Sequence, residues 1–142
     1  MSQTIWLIRR PLFLACLLWA GSVSALDRFS ALSMIESEND DFALGQHTEV
    51  SRFQIRREVW LQTTNAPISD ATNAAVALAV AQVIAQKRCE NFAKQHGRPA
   101  TDFEFYVLWN SPAQVNHPGR AVRERAGRFE NLVRKPDQAA AK

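Results

Sequence analysis

The segment Ala74-Ala75-Val76-Ala77-Leu78-Ala79-Val80-Ala81 most constrains the fold, because it is apolar at every position. Helical propensity is high there, and a helix that is hydrophobic all round is expected in a protein interior. Ser69 or Asp70 can cap its start, Lys87, Arg88 and Glu90 make its second half polar, and Gly97 with Pro99 beyond it supplies a left-handed stop. The apolar part is shorter than the ~20 residues a bilayer-spanning helix needs. Its natural place is the centre of a small, mainly α domain. Ala77 and Ala81 fall on one face, where small side chains let neighbouring helices approach.

The N-terminus indicates where such a domain works. Arg9 and Arg10 precede an apolar run over residues 11–20, and Val23-Ser24-Ala25 suits signal-peptidase cleavage near Ala25. The run is too short for a stable membrane anchor, and Gly21, Ser22 and Ser24 follow it. The expectation is therefore export, to the periplasm or as a secreted protein. Removing 25 of 142 residues leaves 117, enough for one domain over residues 26–135, with a polar tail at 136–142 expected to be disordered. Cys89 is then the only cysteine, which excludes an internal disulfide and suggests a small buried side chain. His47, His96 and His117 stand too far apart in sequence to suggest a metal site.

Loss of Arg9 and Arg10 lowers the formal charge from +3 to +1. The remaining charge is uneven: Arg120, Arg123, Arg125, Arg128, Arg134, Lys135 and Lys142 outnumber Glu124, Glu130 and Asp137. These cations are expected on the wet face of an amphipathic helix that turns Val122, Phe129, Leu132 and Val133 inward. Aromatic residues are not interleaved with them, so no nucleic-acid partner is expected. Elsewhere, Asp27 can cap a short helix carrying Phe29, Leu32, Met34 or Ile35 up to Glu36. Residues 38–48 read as a loop or small hairpin leading into 50–55, and a second helical piece covers Arg57 to Thr63. Thr101-Asp102-Phe103-Glu104 is a capping box for a helix over 103–110, although the alternation of Phe103, Phe105 and Val107 also suits a strand.

Glu36 carries the chemistry of the chain. It is a carboxylate beside an apolar stripe in Leu32-Ser33-Met34-Ile35-Glu36-Ser37, and removing water from a carboxyl group disfavours its charged form. Gln54 follows after a polar loop, in Val50-Ser51-Arg52-Phe53-Gln54-Ile55. The Glu-Ser pair and this interval resemble the first motif of the lysozyme-like lytic transglycosylases, in which Glu-Ser closes a helix and a loop ends in Gly-Leu-Met-Gln. Asp70-Ala71-Thr72-Asn73 at the start of the apolar helix, and Leu108-Trp109-Asn110-Ser111-Pro112 where that family has Tyr-Asn-Ala-Gly, follow in the family's order. The resemblance covers about residues 32–115. It departs from the family at Ser51-Arg52-Phe53-Gln54, at Thr48 where glycine is usual, and at Trp109 in place of the motif tyrosine. Tyr106, one helical turn earlier, is an alternative source of the missing hydroxyl or else a core residue.

The resemblance implies an α+β lysozyme-like fold, with a cleft between a helical core and a short loop or hairpin lobe over residues 45–55. It also implies cleavage of peptidoglycan glycan strands without a cofactor. Glu36 would act as acid and then base, giving 1,6-anhydro products, with Ser37, Gln54, Tyr106, Trp109 and Asn110 as substrate-binding residues. Two alternatives stay open. A hydrolase would use Glu49 as a second carboxylate that activates water. A non-catalytic wall-binding protein would serve a secretion or wall-remodelling assembly.

Overall fold

A computed structural model describes residues 25–134; the expected signal segment before Ala25 and the expected tail lie outside the described residues. The chain is mainly helical. Asp27 opens α1 (Arg28–Ser37), its carboxylate accepting hydrogen bonds from the amides of Phe29 and Ser30 at 2.9 and 3.1 Å. A lobe follows in which β1 (Glu49–Val50) pairs antiparallel with β2 (Ile55–Arg56), in register Glu49 to Arg56 and Val50 to Ile55. Next come α2 (Arg57–Thr63), a 3-10 turn at Ile68–Thr72, α3 (Ala74–His96), α4 (Asp102–Asn110), a second 3-10 turn at Pro112–Gln114, and α5 (Arg120–Val133).

The helix buried all round is α4, not α3. Phe105, Tyr106, Val107, Leu108 and Trp109 are all buried, flanked by α3 on one side and α5 on the other. In α3 one face is buried through Ala77, Val80, Ala81, Ile84, Ala85 and Phe92, while Ala75, Ala79 and Val83 face solvent, Val83 being 53% exposed. The physical reason is that exposing a methyl group costs little, so an alanine-rich surface does not require burial. Ala77 and Ala81 are fully buried, as small residues at a close helix contact should be. The start of α3 also differs from expectation. Asp70 lies in the preceding 3-10 turn, and Asn73 is the cap, accepting from the amides of Ala75 and Val76. Gly97 ends α3 in the left-handed region, at φ 68°.

The capping box decides the helix against the strand at residues 102–110. Thr101 Oγ1 accepts from the Glu104 amide at 3.2 Å, and the Glu104 carboxylate accepts from the Thr101 amide at 2.9 Å. Arg98 joins this carboxylate through both guanidinium nitrogens and holds its pKa down at about 2. The α5 helix turns Val122, Phe129, Leu132 and Val133 to the core and Arg120, Arg123 and Arg128 outward, with Arg125 exposed at the groove side. Phe129 stacks on Phe105 at 5.6 Å and packs on the Tyr106 ring at 5.5 Å. The two ends of the described segment are pinned together where the Leu26 amide donates to the Leu132 carbonyl. Among the described residues, no helix is long and apolar enough to cross a membrane.

The lobe is tied to the helices at three points. Ser37 Oγ donates to the Arg52 carbonyl at 2.9 Å, the Trp109 indole donates to the Phe53 carbonyl at 3.2 Å, and Phe53 and Ile55 enter the core. Within the lobe, Arg52 pairs with both carboxylate oxygens of Asp41. These anchors leave a groove between the lobe and the ends of α1 and α4.

Candidate active site

Glu36 sits in the last turn of α1 and opens into that groove, a cleft of about 770 Å³. The lobe contributes Gln46, His47, Glu49, Gln54 and Arg56 to its wall, and the opposite side comes from Ile84, Arg88, Trp109, Asn110 and Arg125. Tyr106, on the buried helix, donates its hydroxyl proton to Glu36 Oε1 at 2.7 Å, across 70 residues of sequence. The resemblance left this hydroxyl in doubt, because Trp109 occupies the motif position; Tyr106 supplies it.

Burial raises the pKa of Glu36, and the negative charge of Glu49 pushes the same way. The Tyr106 hydrogen bond and the positive charge of Arg125 act against burial without cancelling it. Burial, then the neighbouring Glu36, raises the Tyr106 hydroxyl well above the ordinary phenol range, so Tyr106 remains a neutral donor. The result is a carboxyl group that holds its proton above the usual glutamate range, beside space for a ligand. That is the setting of a general acid.

Glu49 faces the same cleft but is engaged by its own lobe. Its Oε2 accepts from the His47 amide at 2.7 Å, and Arg56 Nε lies 3.8 Å from its Oε1. Gln54 also lines the cleft, its amide donating to the Ser51 carbonyl at 3.0 Å and to the Ala43 carbonyl at 3.4 Å. Gly45 is where these two side chains converge: a Cβ there would lie 2.6 Å from Gln54 Oε1 and 2.7 Å from Glu49 Cβ. Ser37, expected to contact substrate, spends its hydroxyl on the Arg52 carbonyl and on the Asp40 amide, which ties α1 to the lobe. Trp109 is 8% exposed and Arg88 lies over its indole at 5.6 Å, so it forms a wall between lobe and helix. Asn110 is exposed at the cleft edge and accepts from Ser111 Oγ at 3.1 Å.

Among the cleft residues not singled out as site residues from sequence are two cations on the helical side, Arg88 and Arg125. Arg88 is held between the carbonyls of Leu108 and Trp109, capping the C-terminal end of α4. Arg125 comes from the basic helix; its signal was a position four residues before the core residue Phe129.

The lobe also carries unusual backbone. Glu38, Asn39, Thr48, Ser51 and Gln54 all have positive φ, including 65° at Thr48 and 68° at Ser51, the two positions where the resemblance has glycine. A side chain in this region costs roughly 1–2 kcal/mol. Ser51 is 1% exposed and its Oγ has no hydrogen-bond partner among the described residues. Replacing Ser51 by glycine should therefore raise stability by about 1 kcal/mol, because relief of strain and of an unpaired buried hydroxyl outweighs the extra freedom of the unfolded chain. Denaturant midpoints of Ser51→Gly and parent check this; a lower midpoint would show that the serine side chain packs favourably after all. Compared with protein-family models, curated proteins and solved structures, the chain gives no match.

Proposed function

We propose that this chain is a lysozyme-like lytic transglycosylase that cleaves peptidoglycan glycan strands between N-acetylmuramic acid and N-acetylglucosamine. The observation that carries the proposal is Glu36, a carboxyl group whose pKa is raised by burial, bonded to the Tyr106 hydroxyl at the wall of an open cleft. Protonated Glu36 gives its proton to the bridging glycosidic oxygen, and the bond from that oxygen to C1 of the muramic acid breaks. The Glu36 carboxylate then takes the proton of the C6 hydroxyl of the same sugar, and O6 closes on C1. The product is a 1,6-anhydro sugar, and Glu36 ends as it began, protonated. Gln54 and Asn110 line the cleft where a strand would lie. Export would bring the protein to this substrate, with a secretion or wall-remodelling assembly as its recruiter.

A hydrolase is the second reading, favoured by the presence of Glu49 in the same cleft and by its influence on Glu36. The bonds from the His47 amide and the proximity of Arg56 fit Glu49 better as a lobe-ordering residue. Mass spectrometry of digested peptidoglycan separates the two. The expected result is fragments ending in 1,6-anhydro sugars, with Glu49→Gln weakening turnover by less than about 10-fold, since water activation by a second carboxylate is not required. Reducing-end fragments, with activity lost in Glu49→Gln, would assign the hydrolase. Binding to insoluble peptidoglycan without cleavage would instead assign a wall-binding protein.

A further inference from the structure

The cations of the cleft differ in what already holds them. Arg88 is occupied by the end of α4 and by the face of Trp109, and Arg56 leans toward Glu49. Arg125 is placed otherwise. The α5 helix packs Phe129 on the Tyr106 ring, and one turn earlier, on the same side, it carries Arg125 to the wall of the cleft that holds Glu36. There the guanidinium shares the cleft wall with Glu36, close enough for their charges to interact.

We propose that Arg125 is a positioning residue for the acid: from its place on the cleft wall it offsets the negative charge that gathers on Glu36 as its proton leaves. This rests on the reading of Glu36 as the general acid. When the proton passes to the glycosidic oxygen, the carboxylate left behind keeps one hydrogen bond from Tyr106 and gains a fixed positive charge beyond it. Because both groups are in place before the reaction, no reorganisation is needed at that moment. Arg125 touches no reacting atom, so its effect on Glu36 passes through space.

Three charged or titratable groups face Glu36: Tyr106 from α4, Arg125 from α5 and Glu49 from β1. His47, Arg56 and Arg88 also line the cleft. Removing Arg125 takes away a cation that favours the charged form of Glu36, so the carboxyl group should keep its proton to higher pH. The descending limb of kcat/KM against pH should move upward. The value of kcat should fall about 10-fold, the low end of what losing a fixed electrostatic contact does, because Arg125 is solvent-exposed and screened. KM for peptidoglycan should stay within about 2-fold, since uniform substrate binding is not altered.

The experiment compares wild type, Arg125→Ala and Arg125→Lys by pH–rate profile on purified peptidoglycan. Arg125→Lys, which keeps the charge, should keep the limb near its wild-type position. In parallel, the Glu36 carboxyl carbon is titrated by NMR in wild type and Arg125→Ala without substrate, and thermal unfolding confirms that both are folded. A higher Glu36 midpoint in Arg125→Ala supports the proposal, and an unchanged midpoint overturns it. A raised KM with kcat and limb unmoved would also overturn it, and would make Arg125 a contact for an anionic group of the substrate. If wild type released no glycan fragments, the functional reading would fall, while the titration would still decide whether Arg125 sets the state of Glu36.

Discussion

Glu36→Gln should abolish glycan cleavage, lowering turnover by at least ~100-fold, and should make the folded protein more stable at neutral pH. The amide fills the same space and still accepts from Tyr106, but it has no acidic proton. The stability effect follows from the raised pKa. Below the ordinary glutamate value of 4.5, Glu36 is protonated whether the chain is folded or unfolded, and the variant gains nothing. As pH rises past that value the unfolded chain loses the proton while the folded one keeps it, so wild-type stability drains away until the folded carboxyl group ionises as well. Glutamine does not titrate. Muropeptide release measured beside thermal unfolding at pH 4 and pH 7 checks both halves. Near-normal release would remove Glu36 from the mechanism, and a variant less stable than wild type at pH 7 would mean that the carboxyl group is solvated rather than buried.

The largest expected loss of stability belongs to Phe129→Ala. Phe129 is fully buried between Phe105 and the Tyr106 ring, and few neighbours can relax into the space it would leave. Truncating such a phenylalanine costs about 3–5 kcal/mol, a large part of the roughly 5–15 kcal/mol that holds a domain together. Activity should fall with it, because the same contact aligns Tyr106 and brings Arg125 to the cleft. Arg128→Ala, one residue away on the exposed face, should change stability by no more than about 0.5 kcal/mol. Chemical denaturation of the two variants tests the packing directly. A loss below about 1 kcal/mol for Phe129→Ala would mean that α5 does not rest on α4.

Local signals placed most of the helices. Asp27, Thr101 with Glu104, and Gly97 act through hydrogen bonds or backbone preferences within a turn of themselves, so their effects are written in adjacent residues. The limits Arg57 to Thr63 and the inward positions of α5 were equally legible, since both follow from short-range patterning. Where the expectation failed, at the burial of α3, the composition was ambiguous: Ala75 and Ala79 are tolerated in water, so only the packing of neighbours decides which face is covered. The run Phe105–Trp109 carries the larger side chains, and the gain from burying them all places α4 at the centre.

The candidate site divides in the same way. Sequence alone brought Glu36 to the end of an amphipathic helix, placed Glu49 and Gln54 in the lobe after it, and set Asn110 at the end of a later helix, because each of these is a statement about neighbours along the chain. Only the tertiary structure decided that Tyr106 is the residue bonded to Glu36, that Trp109 serves as a wall, that Ser37 ties α1 to the lobe, and that Arg125 lines the same cleft as the acid. Those contacts join residues from about 15 to 90 positions apart, and their existence depends on how whole helices are oriented by the burial of Phe129, Phe105 and Trp109. The proton-holding character of Glu36 belongs to that second group as well. A carboxyl group's pKa is set by the water it loses and the charges it meets, and both are fixed only when α1, α4, α5 and the lobe close around it.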